Sequence, residues 1–308
     1  MNERTSSTAL ETISFDSSGT RCEAWYLRAG NDELTTSRGR PCVVMAHGFG
    51  ATRDAGLLPF AEHFAAAGAD VLIFDYRGFG TSDGALRQDV DHRRHREDYH
   101  AAIVAARARR GVDPSRIAVW GSSYSGGHVI AVAAQDQRVA AVVSQGAAMD
   151  GLAALLMVRG ESGTGKALAL TKAGLRDAAR ALRRRPPELL AIVGPPGSDA
   201  VISAPGADVG YRNIMGPTFR NEMCARGILR LARNRPVRVA AKVLCPVLVV
   251  VAEQDNIAPV ASVRKAAAKM PRSETLSLPV GHFDIYVGEP FEESVAAQVE
   301  FLRRALAG

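Results

Sequence analysis

Eight residues, "WGSSYSGG" (Trp120–Gly127), hold three serines and three glycines. A serine hydroxyl is a weak nucleophile at neutral pH. It gains reactivity from a base within hydrogen-bond reach, and that base needs a third group to orient it. When such a serine sits on a sharp strand-to-helix turn, the pattern is G-x-S-x-G, because the backbone is strained and the helix packs close. Only Ser123 fits: counting from Gly121 it is third, whereas Ser122 would need glycine at Trp120 and Ser125 would need it at Ser123. The fifth position holds Ser125 instead of glycine, which still meets the size requirement. A bland turn of small residues has the same appearance, so the partners decide.

Two residues downstream supply them. Asp255 follows the apolar run "PVLVVVA", and His282 stands in "PVGHFD" after a later strand-like run. Both fall on loops after strand C-terminal ends, the edge where Ser123 is expected, and the chain order is serine, acid, histidine. Asp150, after "VVSQGAAM", is a second candidate for the acid; Asp255 is preferred. The fourth element is "HGFG" (His47–Gly50), in which Gly48 and Gly50 let the backbone bend. Negative charge developing on a carbonyl oxygen needs backbone N–H donors aimed at it, and the amides of Phe49 and Tyr124 are the natural pair. His47 itself is read as shaping its loop through a hydrogen bond.

These residues need a scaffold that brings strand ends together. "TALETISFD" and "TRCEAWYLRA" read as an opening hairpin, and "PCVVMA" as an interior strand apolar on both faces. Helix and strand then alternate through "AGLLPFAEHFAAAG", "ADVLIFDY", "VDHRRHREDYHAAIVAARARRG" and "SRIAVWG", the signal for a mostly parallel sheet covered by helices. After a helix to about Ala134 and the strand "VAAVVSQG", the rhythm stops at Ala147 and resumes at "PVLVVVAEQD". The block between is Arg- and Ala-rich, broken by Pro and Gly, and has no convincing strand. We therefore expect one α/β core, residues 1–147 and 242–308, and a helical insertion, 148–241, lying over the strand ends as a lid.

At "HGFG", "DYRGFGTSDG", "GSSYSGG", "AEQDNIAP" and "GHFD" the chain resembles the α/β-hydrolase superfamily, over nearly its full length apart from the insertion. It is similar to bacterial hydrolases described as dienelactone-hydrolase-like or dipeptidyl-peptidase-like, some of which act in natural-product pathways. The resemblance implies Ser123, Asp255 and His282 as a catalytic triad beneath a helical cap. It departs at Ala252, where the family often has glycine in "GExD", which bears on the local turn and not on the acid. Esters or thioesters are the expected small-molecule substrates. A peptidase, a C–C hydrolase and an acyltransferase share the same triad, and a ligand-binding receptor shares the fold. No cofactor and no metal are called for.

Composition narrows the remaining classes. The 308 residues are 47% hydrophobic, enough for a large core. The N-terminus has no apolar run, and the longest elsewhere, "VLCPVLVVVA", is about half of a membrane span, so the expectation is a soluble cytoplasmic protein that binds no membrane. Cys22, Cys42, Cys224 and Cys245 are scattered and point to neither disulfides nor zinc. A homodimer is compatible with this reading. The net charge is +6, yet residues 151–242 alone carry 16 Lys and Arg against 6 Asp and Glu, so the surplus is local. Arg176, Arg180, Arg183, Arg184 and Arg185 read as a solvated helix exterior, and no nucleic-acid motif accompanies them. Two further patterns are set aside. "GESGTGKA" places Ala167 where a phosphate-binding loop needs Ser or Thr, and His92, His95 and His100 in "DHRRHREDYH" read as a solvated helix face instead of a metal site.

Overall fold

Ser18 and Gly19 both have positive φ, 52° and 79°, the two-residue turn whose twist suits a right-handed hairpin. In the computed structural model, which describes residues 10–308 and leaves the side chains of Glu161 and Ser162 undescribed, this turn joins β1 (Leu10–Ser17) to antiparallel β2 (Thr20–Leu27). The expected first strand begins at Thr8; Thr8 and Ala9, like the rest of the N-terminal stretch, lie outside the described residues. Next come β3 (Arg40–Ala46), α1 (Leu58–Ala66), β4 (Asp70–Phe74), α2 (His92–Ala108), β5 (Val112–Ser122), α3 (Tyr124–Gln135) and β6 (Ala141–Gln145). β3 is buried on both faces: Val44 and Ala46 join the apolar cluster on one side of the sheet, Val43 and Met45 the cluster on the other.

The segment that follows contains α4 (Gly151–Leu182), β7 (Leu189–Leu190), α5 (Ala207–Ile214), β8 (Met223–Cys224) and α6 (Ile228–Leu231), after which β9 (Val247–Ala252), α7 (Val260–Ala267), β10 (Ser273–Leu278) and α8 (Gly288–Ala305) complete the chain. The eight long strands form one sheet in the order β1-β2-β4-β3-β5-β6-β9-β10, antiparallel at β1, β2 and β4 and parallel from β4 onward. Register aligns the exits of the parallel strands. Ala46 lies opposite Gly121, Ser122 opposite Gln145, and Ala252 opposite Leu278. The loops carrying His47, Ser123, Asp255 and His282 therefore leave along one edge.

The structure corrects two expectations. Residues 148–241, expected to have no strand, do contain one pair: β7 and β8 pair antiparallel, Leu189 with Cys224 and Leu190 with Met223. α4 ends at Leu182 in a turn with Arg184 at φ 52°, Pro186 and Pro187 keep the chain from re-entering a helix, and Asp177 receives the Glu188 amide at 2.9 Å. Arg176 is bound to Glu188 and Arg180 to the Pro186 carbonyl, so these two arginines stitch the exit together, whereas Arg183, Arg184 and Arg185 are exposed. The second correction concerns α2, two of whose three histidines are not solvated; His100 is half-exposed and meets Gln135. His92 and His95 are buried, and the His95 ring stacks on Tyr76 at 4.0 Å and 8°. Asp98, on the same side, bonds Arg77 and Ser17. The partners come from β1 and the loop after β4, beyond the reach of helical periodicity.

These imidazoles generate a prediction. Burial holds His47 and His92 down to about 4, and lowers His95 and His128 well below the ordinary value. The native state keeps all four neutral while the unfolded chain takes up protons below about pH 6.5, so the stability they confer is complete above that pH and lost as pH falls toward 4. Each group can cost up to about 1.4 kcal/mol per pH unit in that window. Burial raises Asp75 to about 6 and also raises Asp98, which opposes the trend, but two groups work against four. Thermal unfolding should show a melting temperature that drops between pH 7 and 4.5, with a shallower drop for His128→Phe. A melting temperature unchanged over that range refutes it.

Candidate active site

The turn from β5 into α3 is tight because its neighbours leave no room. A Cβ on Gly121 would stand 2.4 Å from the Ser125 carbonyl oxygen, and one on Gly127 would stand 2.3 Å from that of Ala148. Ser123 sits between them at φ 58° and ψ −120°, a conformation that non-glycine residues rarely adopt. Two hydrogen bonds hold it there: its amide donates to the Gln145 carbonyl at 2.8 Å, and its carbonyl accepts from the Ala148 amide at 2.9 Å. Ser125, at the fifth position, does more than stay small. Its hydroxyl donates to the carbonyl of Ala46 at 2.7 Å and so ties the start of α3 to the end of β3.

The structure brings Ser123, His282 and Asp255 together. His282 Nε2 lies 3.0 Å from Ser123 Oγ, and His282 Nδ1 lies 2.6 Å from Asp255 Oδ2. The other carboxylate oxygen of Asp255 accepts the amides of Ile257 and Ala258, each at 2.8 Å, which fixes the plane it presents to the imidazole. With Nδ1–H donated to Asp255, Nε2 is left to accept the serine proton. Ala252 ends β9 without positive φ, so its turn has no need of the glycine common in the family. Asp150 is occupied elsewhere. It caps α4 through the amides of Leu152 and Ala153 and forms a two-point ion pair with Arg235 at 2.8 and 2.7 Å.

Behind the serine, the amides of Phe49 and Tyr124 have no internal acceptor among the described residues; Tyr124 opens α3, where first-turn N–H groups are free. The two rings pack edge to face at 5.3 Å. Tyr211 of α5 donates to the Phe49 carbonyl at 2.5 Å. Asp75 secures the same loop further on, accepting the Arg53 amide at 2.7 Å and its guanidinium at 2.8 Å. His47 contacts the Gly48 carbonyl at 3.1 Å, and its buried imidazole, pushed down to about 4 by desolvation, is neutral at pH 7.

Ser123 borders two cavities. The larger, about 130 Å³, is walled chiefly by apolar side chains, among them Tyr124, Leu155, Met157, Val158, Leu170 and Ile228. The smaller, about 20 Å³, is bounded by His282, Tyr286, Tyr211 and Leu57. Sequence reasoning missed three of these residues. Tyr211 and Tyr286 stand in no motif. Lys166 stands in "GESGTGKA", which lies inside helix α4 and follows no strand; its side chain lines the larger cavity and donates to Ser203, 37 residues away. No spacing rule connects that pair. Among the described residues no three His, Cys, Asp or Glu side chains are grouped to hold a metal, and no helix is long and apolar enough to cross a membrane.

Comparison with known proteins adds an independent line. The alpha/beta hydrolase fold family matches residues 41–289. The chain is 38% identical over 294 residues to the quorum-quenching protein AidA of Acinetobacter baumannii (strain MDR-ZJ06), covering 95% of this chain and 94% of that one. It is 42% identical over 104 residues to the thiohydrolase aneE of Aspergillus aculeatus, about a third of each chain (34% and 33%). The crystal structure of the alpha/beta hydrolase GrgF from Penicillium sp. sh18 superimposes with a TM-score of 0.79 at 24% identity, covering 97% of this chain and all of that one (100%).

The two acids separate experimentally. Asp255→Asn should lower kcat by roughly 10³- to 10⁴-fold with little change in substrate binding, because the imidazole loses its orienting charge. Asp150→Asn keeps a helix-capping side chain and loses the ion pair, so it should cost roughly 2 to 4 °C in melting temperature and leave kcat within about threefold. The opposite pattern moves the acid to the loop after β6.

Proposed function

The chain belongs to the alpha/beta hydrolase fold family, and from that premise we propose that it hydrolyses a carboxylic ester or thioester through an acyl-enzyme on Ser123. The observation that carries this reading is the unbroken hydrogen-bonded chain from Ser123 through His282 to Asp255 on a strained turn. Ser123 Oγ attacks the acyl carbonyl while His282 Nε2 takes its proton. Asp255 holds the imidazole and stabilises the imidazolium that forms. The carbonyl oxygen, now negative, is received by the amides of Phe49 and Tyr124. His282 returns the proton to the departing alcohol or thiol, and a water activated by the same nitrogen then releases the acid and restores the serine.

Proton return assigns the two cavities. A leaving group must lie against His282 Nε2, so it belongs on the side of the smaller cavity, which His282 borders. That space is about what one water requires, in keeping with water as the second nucleophile. The acyl chain then occupies the larger, apolar cavity, over which residues 148–241 act as the cap. A relative named for quorum quenching and another named a thiohydrolase support a small acyl compound of natural-product metabolism as substrate. Four free cysteines, three of them buried, suit a reducing cytoplasm.

Two measurements test the reading. A fluorophosphonate probe should label the wild-type protein stoichiometrically and leave Ser123→Ala unlabelled; a folded wild type that takes no label fits a receptor instead. Leu155→Trp, which fills part of the acyl cavity, should shift the preferred thioester to shorter chains, with kcat/KM for the longer ones down by at least about tenfold. An unchanged chain-length profile places the acyl group elsewhere.

A further inference from the structure

The larger cavity contains a group that an ordinary acyl chain does not need. Of its lining side chains among the described residues, Lys166 alone carries a charge. It reaches in from α4 just past Gly163, where φ of 80° interrupts the helix, and it is half-buried. One of its three N–H donors goes to the hydroxyl of Ser203, itself buried at 8% exposure. Among the described residues no carboxylate lies within ion-pair distance of Nζ; Asp199 acts on it only from further away. Each amide group in the same wall has one partner elsewhere, Asn256 donating to the Pro205 carbonyl and Asn234 accepting from Arg96. Burial lowers the pKa of Lys166 from its ordinary value, the expected response of an ammonium with apolar neighbours.

Resting on the assignment of this cavity to the acyl chain, we propose that Lys166 and Ser203 form a subsite for a carboxylate carried on the substrate's acyl chain, so that the preferred substrates are ω-carboxyacyl esters or thioesters. A plain alkyl chain would fill the apolar wall and leave the ammonium facing hydrocarbon. A terminal carboxylate instead accepts the two remaining N–H donors of Lys166 in charge-assisted bonds and the Ser203 hydroxyl beside them. Sites built around a buried polar group discriminate strongly against ligands that lack its partner, because the group is then left unpaired.

The experiment compares N-acetylcysteamine thioesters of four- to eight-carbon ω-carboxy acids with alkanoyl thioesters of matched length. The best ω-carboxy substrate should exceed its alkanoyl counterpart at least tenfold in kcat/KM for the wild type. Lys166→Met, nearly isosteric, should reduce that ratio at least tenfold, while Lys166→Arg retains part of it. A wild type that turns over alkanoyl thioesters with no ω-carboxy preference overturns the subsite, and so does a Lys166→Met variant whose ratio is unchanged. Calorimetry on Ser123→Ala separates this from the reaction itself. Binding of free C4–C8 dicarboxylates that is abolished by adding Lys166→Met supports the subsite even where no thioester is turned over, an outcome that sinks the acyl-enzyme instead. No binding of any dicarboxylate counts against the subsite while the labelling of Ser123 stands.

Discussion

The site depends on Ser123 being held at positive φ without being glycine. Such a conformation costs on the order of 1–3 kcal/mol, so it persists only where the surroundings leave no alternative. Here the end of β6 and the loop after it grip the serine from both sides of its peptide, and the bare faces of Gly121 and Gly127 let α3 start against that loop. That strain exposes the hydroxyl and opens the first turn of α3, so the Tyr124 amide is presented at the same place. Ser125 links this turn to the end of β3, from which the Phe49 loop departs. Ser123 and the two amides are thus parts of one rigid junction.

The parallel sheet makes the junction useful. Strands β3, β5, β9 and β10 end in register, and short loops at those ends deliver the remaining groups. Asp255 lies three residues beyond β9 and His282 four beyond β10, and each is fixed by backbone amides or a neighbouring carboxylate instead of by length. Buried polar pairs such as Arg53 with Asp75 serve the same end, since their loops would otherwise be free to move. They hold geometry more than they add net stability, because desolvation offsets much of the attraction.

Residues 148–241 supply most of the larger cavity's wall from α4, the loop around Ser203 and α6. They also reach back toward Ser123: Tyr211 bonds the carbonyl of Phe49, so a movement of α5 would be felt in the loop that carries the Phe49 amide. Residues 148–241 are joined to the rest of the chain by further polar contacts, among them Thr218 with Asp54, Gln88 with the Glu222 carbonyl and Arg230 with Asp89, and by apolar packing.

The α/β alternation, the unique fit of Ser123 to the turn and the order serine, acid, histidine were legible because each is a local pattern: strand period, small residues around a strained turn, and polar residues just past apolar runs. Ala252 departs from the family's glycine without cost, since the turn there never enters positive φ. What the sequence left undetermined depends on partners distant in the chain. His92 and His95 look solvated on a helical wheel and are buried, because Tyr76 and the core beside it claim that face. Lys166 resembles a failed phosphate loop until Ser203 and the cavity wall close around it. Periodicity reports which face of an element is apolar, whereas the packing of one element on another, set by the whole fold, decides what each polar side chain meets.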